Sequence, residues 1–527
     1  MQKTLNIILS GLMISFEKDG IEEYIKAASL KLNTCESGIK FVEILSKSLD
    51  FSDEHEFYHK VTIVVSVADN LAGIENFPVH AEEARPARGP KTVKERPIII
   101  GFGPAGMFAA LELIDYGIKP LIFERGKKIE ERSCDIQSFI KGGALNTESN
   151  IQFGEGGAGS YSDGKLFARL NNSGYAERVL ETFIKFGAPA GIGYLAKPHL
   201  GTDVLCRIVK NIRNYILERG GEIHYSSKMT DMIISGGAAS GVVINAEKEY
   251  HSSLIYLAVG NSARDTFEMI LQKGVDMEQK PISVGVRIEH PAKVINLIRY
   301  GDKYKNYPDM AAAVYSFNYT DRAIGRGVYT FCMCPGGEIV NASSENGMMA
   351  INGMSYSTRA SKFSNAALIV TCRTADYASS GPLAGVEFQK EIERKAFAAA
   401  GSGWMAPAQN LTDFMLGRVS SALNENSFKM GAAPVDMKEI FPEFVGSMLL
   451  AAFNKWKADC PLFVSDQAIL LGPETRTSSA VKIVRGERYE SSNIKNLYPI
   501  GEGSGYTGGI TSAASDAIRA VEASLAA

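Results

Sequence analysis

At the start of the chain, apolar positions recur with two periods. Leu5 to Leu9 and the run YHKVTIVVSV gather apolar and β-branched residues as strands do, whereas Ile21 to Lys31 repeats at helical spacing. A further helix is expected near Ile39 to Ser46, which makes residues 1–82 a small α+β module. The opening MQKTLNIILSGLMISF resembles a signal peptide, but it lacks a small-residue cleavage site and is followed by Glu17 and Asp19, so a first strand is expected instead. Residues 83–97 carry prolines and basic residues without periodicity and read as a linker.

Beyond the linker the pattern is that of a buried α/β unit. Ile98 to Ile100 form a short all-apolar run, as suits a strand covered on both faces. The segment PAGMFAALELIDY that follows is helix-forming and stops at Gly117. A second strand, Pro120 to Phe123, ends on Glu124. Between the first strand and the helix, Gly101, Gly103 and Gly106 stand in the spacing G-x-G-x-x-G. The first allows the tight turn, the second a close backbone approach to a pyrophosphate, and the third close packing of helix on strand. The helix that begins at Pro104 and Ala105 offers the free N–H groups of its first turn, from Ala105 on, to a diphosphate, worth up to ~2 kcal/mol when partly buried. Glu124 stands where a carboxylate accepts hydrogen bonds from a ribose 2′-OH, with Arg125 beside it.

The same spacing recurs at Gly154, Gly156 and Gly159, and again at Gly503, Gly505 and Gly508. The middle copy leads into polar residues, not a helix. It is expected to be a loop lying close to a flat ligand, through Gly156, Gly157, Ser162 and Lys165, with an ordinary surface loop as the alternative. The last copy follows the strand NLYPI and precedes the helix-forming SAASDAIRAVEASLA, but no second strand follows it in this sequence. It is expected to bring a helix N-terminus, with Gly501, Glu502, Gly508, Gly509 and Ile510, to a ligand held elsewhere. One dinucleotide is therefore expected, not three.

Between these copies a helix is expected from Thr202 to Glu218, followed by strands in AASGVVIN and SLIYLAVG. The region from Pro281 to Pro461 mixes strands (SVGVRIEH, GVYTFCMC, ALIVTC) with helices (AGVEFQKEIERKAFAAA, NLTDFMLGRVSSAL). A net charge of −3 gives no reason to expect nucleic acid or an anionic membrane as partner. Up to Pro90 there are 14 acidic and 9 basic residues, which weighs against RNA binding by the first module. Seven cysteines without C-x-x-C fit a reduced, cytoplasmic protein with no disulfide framework and no metal site. No run reaches the about 18 apolar residues of a membrane span.

These segments, in this order, resemble the glutathione-reductase-like FAD-binding superfamily, whose FAD domain is built from both ends of the chain. The resemblance implies FAD as cofactor. It aligns Glu502 with an aspartate that contacts the ribityl and diphosphate region, and Ala258-Val259-Gly260 with a strand end beside the cofactor. At finer grain the chain resembles the FAD-dependent dehydrogenases labelled NAD(FAD)-utilising. The resemblance is carried by GFGPAGMFAAL, FGEGGAGSYSDGKL, HLGTD, GNSARDT, SVGVRIEHP, CMCPGGEIV, NGMSYSTR, GPETRTSS and GEGSGYTGGITSAASDAI. The expected fold is α/β: a Rossmann-like FAD-binding domain split between 98–275 and 461–527, an α+β substrate domain inserted at 276–460, and the N-terminal α+β module.

Expected, then, is an FAD-dependent oxidoreductase moving hydride between flavin and a small-molecule substrate, with NADH or NADPH as a transient electron donor. The alternatives are a flavin monooxygenase or lipid-type reductase, and a non-catalytic flavin protein acting with RNA or a protein partner. Candidate catalytic residues are Arg287 and His290 in GVRIEHP, Cys332 and Cys334 in CMCPGG, and Tyr356 and Arg359 in NGMSYSTR. For Arg287, which shares a strand face with Glu289, the alternative is an ordinary cross-strand or lateral ion pair. For the cysteines the alternatives are small wall or core residues and a thiol pair exchanging electrons with flavin. Glu474 and Arg476 share a face in GPETRTSS, and Asp163 and Lys165 lie where a positive charge would stabilise a reduced flavin.

Overall fold

The computed structural model describes residues 3–53, 56–81, 88–166, 174–308 and 310–526. The chain divides into two compact units, one of residues 1–88 with 180–199 and one of residues 89–179 with 200–527.

The first unit is a three-stranded antiparallel sheet with Tyr58–Ala68 in the middle, flanked by Thr4–Ser15 and Lys40–Asp50. The Ile21–Leu32 helix buries Tyr24, Ala28 and Leu32 in the core formed by Ile7, Leu9, Ile63 and Val65. The expected helix near Ile39 to Ser46 is instead the strand Lys40–Asp50. Two bulges, between Phe41 and Glu43 and between Ile44 and Ser46, shift its register. Each inserted residue breaks the period of two, which left an apolar spacing that imitates a helix. The segment 180–199 joins this unit, with the Lys47 N–H donating to Tyr194 O at 2.8 Å and the Ala196 N–H to Lys47 O at 3.0 Å. Of the expected linker, residues 83–87 lie outside the described residues; 88–97 runs without helix or strand to Ile98.

The second unit contains two main sheets. A five-stranded parallel sheet has the order Leu497–Pro499, Ile255–Leu257, Ile98–Ile100, Leu121–Phe123, Glu222–His224. Its centre, Ile98–Ile100, is buried along its whole length. The Pro104–Asp115 helix is buried from Ala105 to Leu113, as a helix apolar all round must be. It packs against the Ile510–Leu525 helix, so the late part of the chain completes the layer begun by the first glycine turn.

The other sheet has seven strands, with Ile282–Pro291 near its middle between Phe363–Cys372 and Ile469–Glu474. Arg326–Cys334 pairs with Phe363–Cys372 on the far side. The strand Ile469–Glu474 corrects the expectation that the chain has left the substrate domain by residue 461: it pairs with both Ile282–Pro291 and Ala406–Asn410. The return to the parallel sheet comes at Leu497–Pro499. Met277–Gln279 and Val481–Ile483, the outgoing and returning segments, run together as a two-stranded antiparallel ribbon. The helix expected over NLTDFMLGRVSSAL covers only Leu411–Leu416, because Gly417 takes a left-handed conformation (φ 67°) that caps and ends it. Among the described residues no helix is long and apolar enough to cross a membrane.

Candidate functional site

The carboxyl ends of the parallel strands, at Ile100, Phe123 and Ala258, open on a cavity of about 360 Å³. That is the position at which open α/β sheets bind ligands, and the size falls within the range of cofactor and small-molecule sites.

Two glycine loops touch over it. The Gly156 N–H donates to Phe102 O at 2.8 Å, and a Cβ on Gly157 would stand 3.0 Å from the Cα of Gly103. Gly101, at φ 97°, leaves no room for a side chain, since its Cβ would lie 2.4 Å from Ala258 O. The Pro104–Asp115 helix begins at Gly103 with no side chain capping it. The Ile510–Leu525 helix begins at Gly509, also uncapped by any side chain. Both N-termini line the cavity, through Gly103, Pro104, Ala105 and through Gly508, Gly509, Ile510. Two helix ends with open N–H groups and positive partial charge fit a diphosphate.

A buried arginine absent from the sequence reading holds the middle loop in shape. Arg132 is fully buried, and its guanidinium donates to the carbonyls of Asn150 (2.8 Å), Ile151 (3.0 Å), Glu155 (2.7 Å) and Gly157 (3.0 Å). Glu155, equally buried, accepts from Ile129 N–H (2.7 Å), Arg213 (2.8 Å) and the Tyr225 hydroxyl (2.6 Å). Arg132 sits on a helix of ordinary amphipathic spacing, so no local signal marked it. Glu155 lies inside the glycine motif, and its position there was the signal that could have found it.

Glu124 reaches the cavity wall, but its carboxylate serves the loops as well. It accepts from the N–H groups of Phe102 (2.8 Å), Gly126 (2.9 Å) and Gly154 (3.0 Å), which ties all three turns together. Next to it Arg125 lies 4.0 Å over the Phe153 ring and donates to both oxygens of Asp265 at 2.9 Å. Lys228 also pairs with Asp265, at 2.5 Å.

Where the parallel sheet meets the seven-stranded sheet, the wall is made by Asp163, Lys165, Cys332, Asn352, Glu474, Arg476 and Glu502. Asp163 is buried, pairs with Lys165 (2.8 Å) and Arg359 (2.5 Å), and accepts from the Ser355 hydroxyl at 2.5 Å. Burial opposes charge on Lys165, yet Cys334, Cys332 and Asp163 together hold its ammonium above the usual lysine value. Arg476 donates to Glu393 (2.9 Å) and to the Ser344 hydroxyl (2.5 Å), and Arg264 clasps the same carboxylate from the other side at 2.8 and 2.9 Å. Burial pushes Glu502 up to about 7 while an Asn261 N–H, 3.0 Å away, works against it.

Of the expected cofactor residues, Gly101, Gly103, Pro104, Ala105, Glu124, Arg125, Gly157, Ser162, Lys165, Gly260, Glu502, Gly508, Gly509 and Ile510 line the cavity. Gly106, Gly156 and Gly501 stand behind the wall. A Cβ on Gly106 would strike Gly101 O at 2.0 Å, and one on Gly501 the Ala105 side chain at 2.6 Å, so these glycines allow packing and not ligand contact. Of the expected catalytic residues only Cys332 lines the cavity. Arg287 is fully buried and makes a cross-strand ion pair with Glu474 at 2.7 Å, the alternative expected for it; Glu289 accepts from the Ser427 N–H at 2.7 Å. His290 is buried on the other face of that strand, stacked on Phe463 (4.9 Å) with Nε2 2.8 Å from its carbonyl, and burial lowers its pKa to about 4. Tyr356 is exposed, and Arg359 acts on the cavity only through Asp163. Cys334 lies buried behind Cys332. Alternation along the strands explains these placements: neighbours in sequence face opposite sides of a sheet.

Residues 281–477, the span of the seven-stranded sheet, match the family described as FAD-dependent protein, C-terminal domain-like. A protein of Clostridium beijerinckii, described as an uncharacterized protein, is 41% identical over 515 residues, covering 96% of each chain. Solved structures with slighter similarity include E. coli quinol fumarate reductase FrdA (12% identity, 82% of this chain and 70% of that chain, TM-score 0.37). Another is the flavin-dependent brominase Bmp2 (12% identity, 80% and 76%, TM-score 0.35). The chain belongs to the same family as the clostridial protein, and its residues 281–477 match a domain described for FAD-dependent proteins.

Proposed function

We propose that this protein is an FAD-dependent oxidoreductase acting on a small organic substrate in the cavity between the parallel sheet and the seven-stranded sheet. The observation that carries the reading is the pair of uncapped helix N-termini opening on one glycine-lined cavity. Gly103, Gly157 and Gly509 would let the backbone close on the diphosphate, and Glu124 and Arg125 would flank the adenosine half. When bound, FAD supplies two-electron redox chemistry. The chain's own residues then have definable tasks. Lys165, held charged by Asp163, keeps a positive charge at the wall, where it would stabilise a developing anion. Glu502, whose pKa lies near neutrality, can hold or release a proton at that wall. Arg264 and Glu393 fix the guanidinium of Arg476, which leaves that group rigid against a substrate's oxygen atoms.

Among the described residues the first glycine turn alone has the full strand–turn–helix–strand context. NADH or NADPH would therefore enter as a transient reductant at the substrate end. The test is an anaerobic visible spectrum of the purified protein during titration with NADH. Bleaching of a bound flavin band establishes a nicotinamide-linked reductase. A flavin band that persists transfers the donor role to the substrate itself. Protein without flavin after reconstitution with FAD refutes the reading.

A further inference from the structure

The geometry of Cys332 and Cys334 goes beyond what the cofactor reading requires. In a regular strand, residues two apart have Cα atoms about 6.4–6.8 Å apart, at the long end of what a disulfide spans. Here the ladder with Phe363–Cys372 skips between Phe331 and Cys334, and Cys332 takes a left-handed conformation at φ 40°. Such a backbone at a non-glycine residue is strained and is held in place by its surroundings. The irregularity takes Cys332 out of the strand's regular alternation, so that it lines the cavity while Cys334 is buried. The Cys334 thiol donates to Cys332 O at 3.5 Å, and interaction between the two thiols holds Cys332 well below and Cys334 well above the usual cysteine value. Arg287 Nη1 stands 3.8 Å from Cys334 Sγ and also donates to Cys332 O at 3.2 Å. The Lys165 side chain donates to the carbonyl of Met333, between the two cysteines. Two cations thus flank the pair, and cations favour the thiolate, the nucleophilic form. Cys332 faces the cavity and Cys334 is buried behind it, an arrangement that suits an attacking and a resolving thiol.

We propose that Cys332 and Cys334 form a redox-active dithiol that exchanges an electron pair with the flavin in this cavity, Cys332 facing the cofactor and Cys334 resolving. The proposal rests on the FAD reading above. Oxidation of the pair breaks two S–H bonds and makes one S–S bond. The two electrons and two protons released convert one oxidised flavin to its dihydro form, and the reverse step restores the dithiol.

The experiment is an anaerobic dithionite titration of air-oxidised, FAD-loaded protein, with the state of the cysteines read in parallel. Trypsin releases both in one peptide, Gly327 to Arg359, which contains no other cysteine. Expected is a twofold greater uptake of reducing equivalents per flavin in the wild type than in Cys334→Ser. The oxidised wild-type peptide should resist alkylation and be lighter by two hydrogens, and the reduced peptide should be doubly alkylated. The peptide readout needs no variant, so a misfolded Cys334→Ser does not spoil it. A flavin-loaded wild type that takes up only the flavin's own equivalents, with both cysteines alkylated in air-oxidised protein, overturns the dithiol and leaves the FAD reading standing. Protein that holds no FAD overturns that reading, and the electron exchange with it.

Discussion

Arg287 and Glu474, 187 positions apart in sequence, meet 2.7 Å apart across two adjacent strands, both buried. The remaining donors of Arg287 reach Asn365 (2.7 Å), Asn352 (2.9 Å) and the Cys332 carbonyl (3.2 Å), so one guanidinium fixes much of the cavity wall on the side of the seven-stranded sheet. Removing it leaves a buried carboxylate without its partner. Arg287→Met is expected to lose about 3–5 kcal/mol of stability. The double variant Arg287→Met/Glu474→Gln should recover part of that loss. Chemical denaturation of the three proteins checks both statements.

Gly101→Ala places a carbon 2.4 Å from Ala258 O at a backbone angle that disfavours any side chain. The expected result is loss of bound flavin, or of soluble protein, beyond what a mild surface change causes. Gly381→Ala, where the nearest atom to the new carbon is 4.0 Å away, should stay within about 0.5 kcal/mol of the wild type. Flavin per polypeptide and the melting temperature together decide the comparison.

Arg132 is a fully buried cation whose hydrogen-bond acceptors are all backbone carbonyls in and just before the middle glycine loop. Charge-assisted hydrogen bonds of this kind contribute about 1.5–3 kcal/mol each. Arg132→Lys keeps the charge but not the planar fork that reaches several carbonyls at once. We expect it to lower the melting temperature and to weaken retention of FAD, measured by flavin released on gel filtration. Unchanged retention would show that the loop holds its shape without the arginine.

Glu502 has a folded-state pKa near 7, above its ordinary 4.5. A carboxyl raised in this way binds its proton more tightly in the folded protein. Its stabilising contribution is therefore complete below about 4.5 and is lost as the pH rises through 7. Glu289, also pushed up to about 7 by burial, acts in the same direction. Glu502→Gln should flatten, without abolishing, the fall in melting temperature of the flavin-free protein between about pH 5 and pH 8. A slope equal to that of the wild type would mean that the carboxyl titrates as an exposed one.

The first glycine turn was legible because its requirements are local: a buried strand, a tight turn at a positive φ and a helix that needs a free N-terminus all follow one another in sequence. For the same reason the first module's first and central strands and its helix could be read, while the bulged strand Lys40–Asp50 could not, since its pairing partner and not its own period sets its register. Other features depend on contacts between segments far apart in the chain. The second loop's place against the first, the partner of Arg287, and the place of Cys332 at the cavity wall are examples.

Sequence alone determined that this chain carries one complete dinucleotide turn, two further glycine-rich segments, and apolar runs of the lengths that α/β sheets use. Each of those is a property of a short stretch and its intrinsic conformational limits. Only the tertiary structure decided which charged residues face the cavity and which hold its walls. Arg287, Glu289 and His290 lie within four residues, yet one pairs with Glu474, one accepts from Ser427 and one stacks on Phe463. On a strand, alternation divides neighbours between opposite faces, and the elements packed on each face choose their partners.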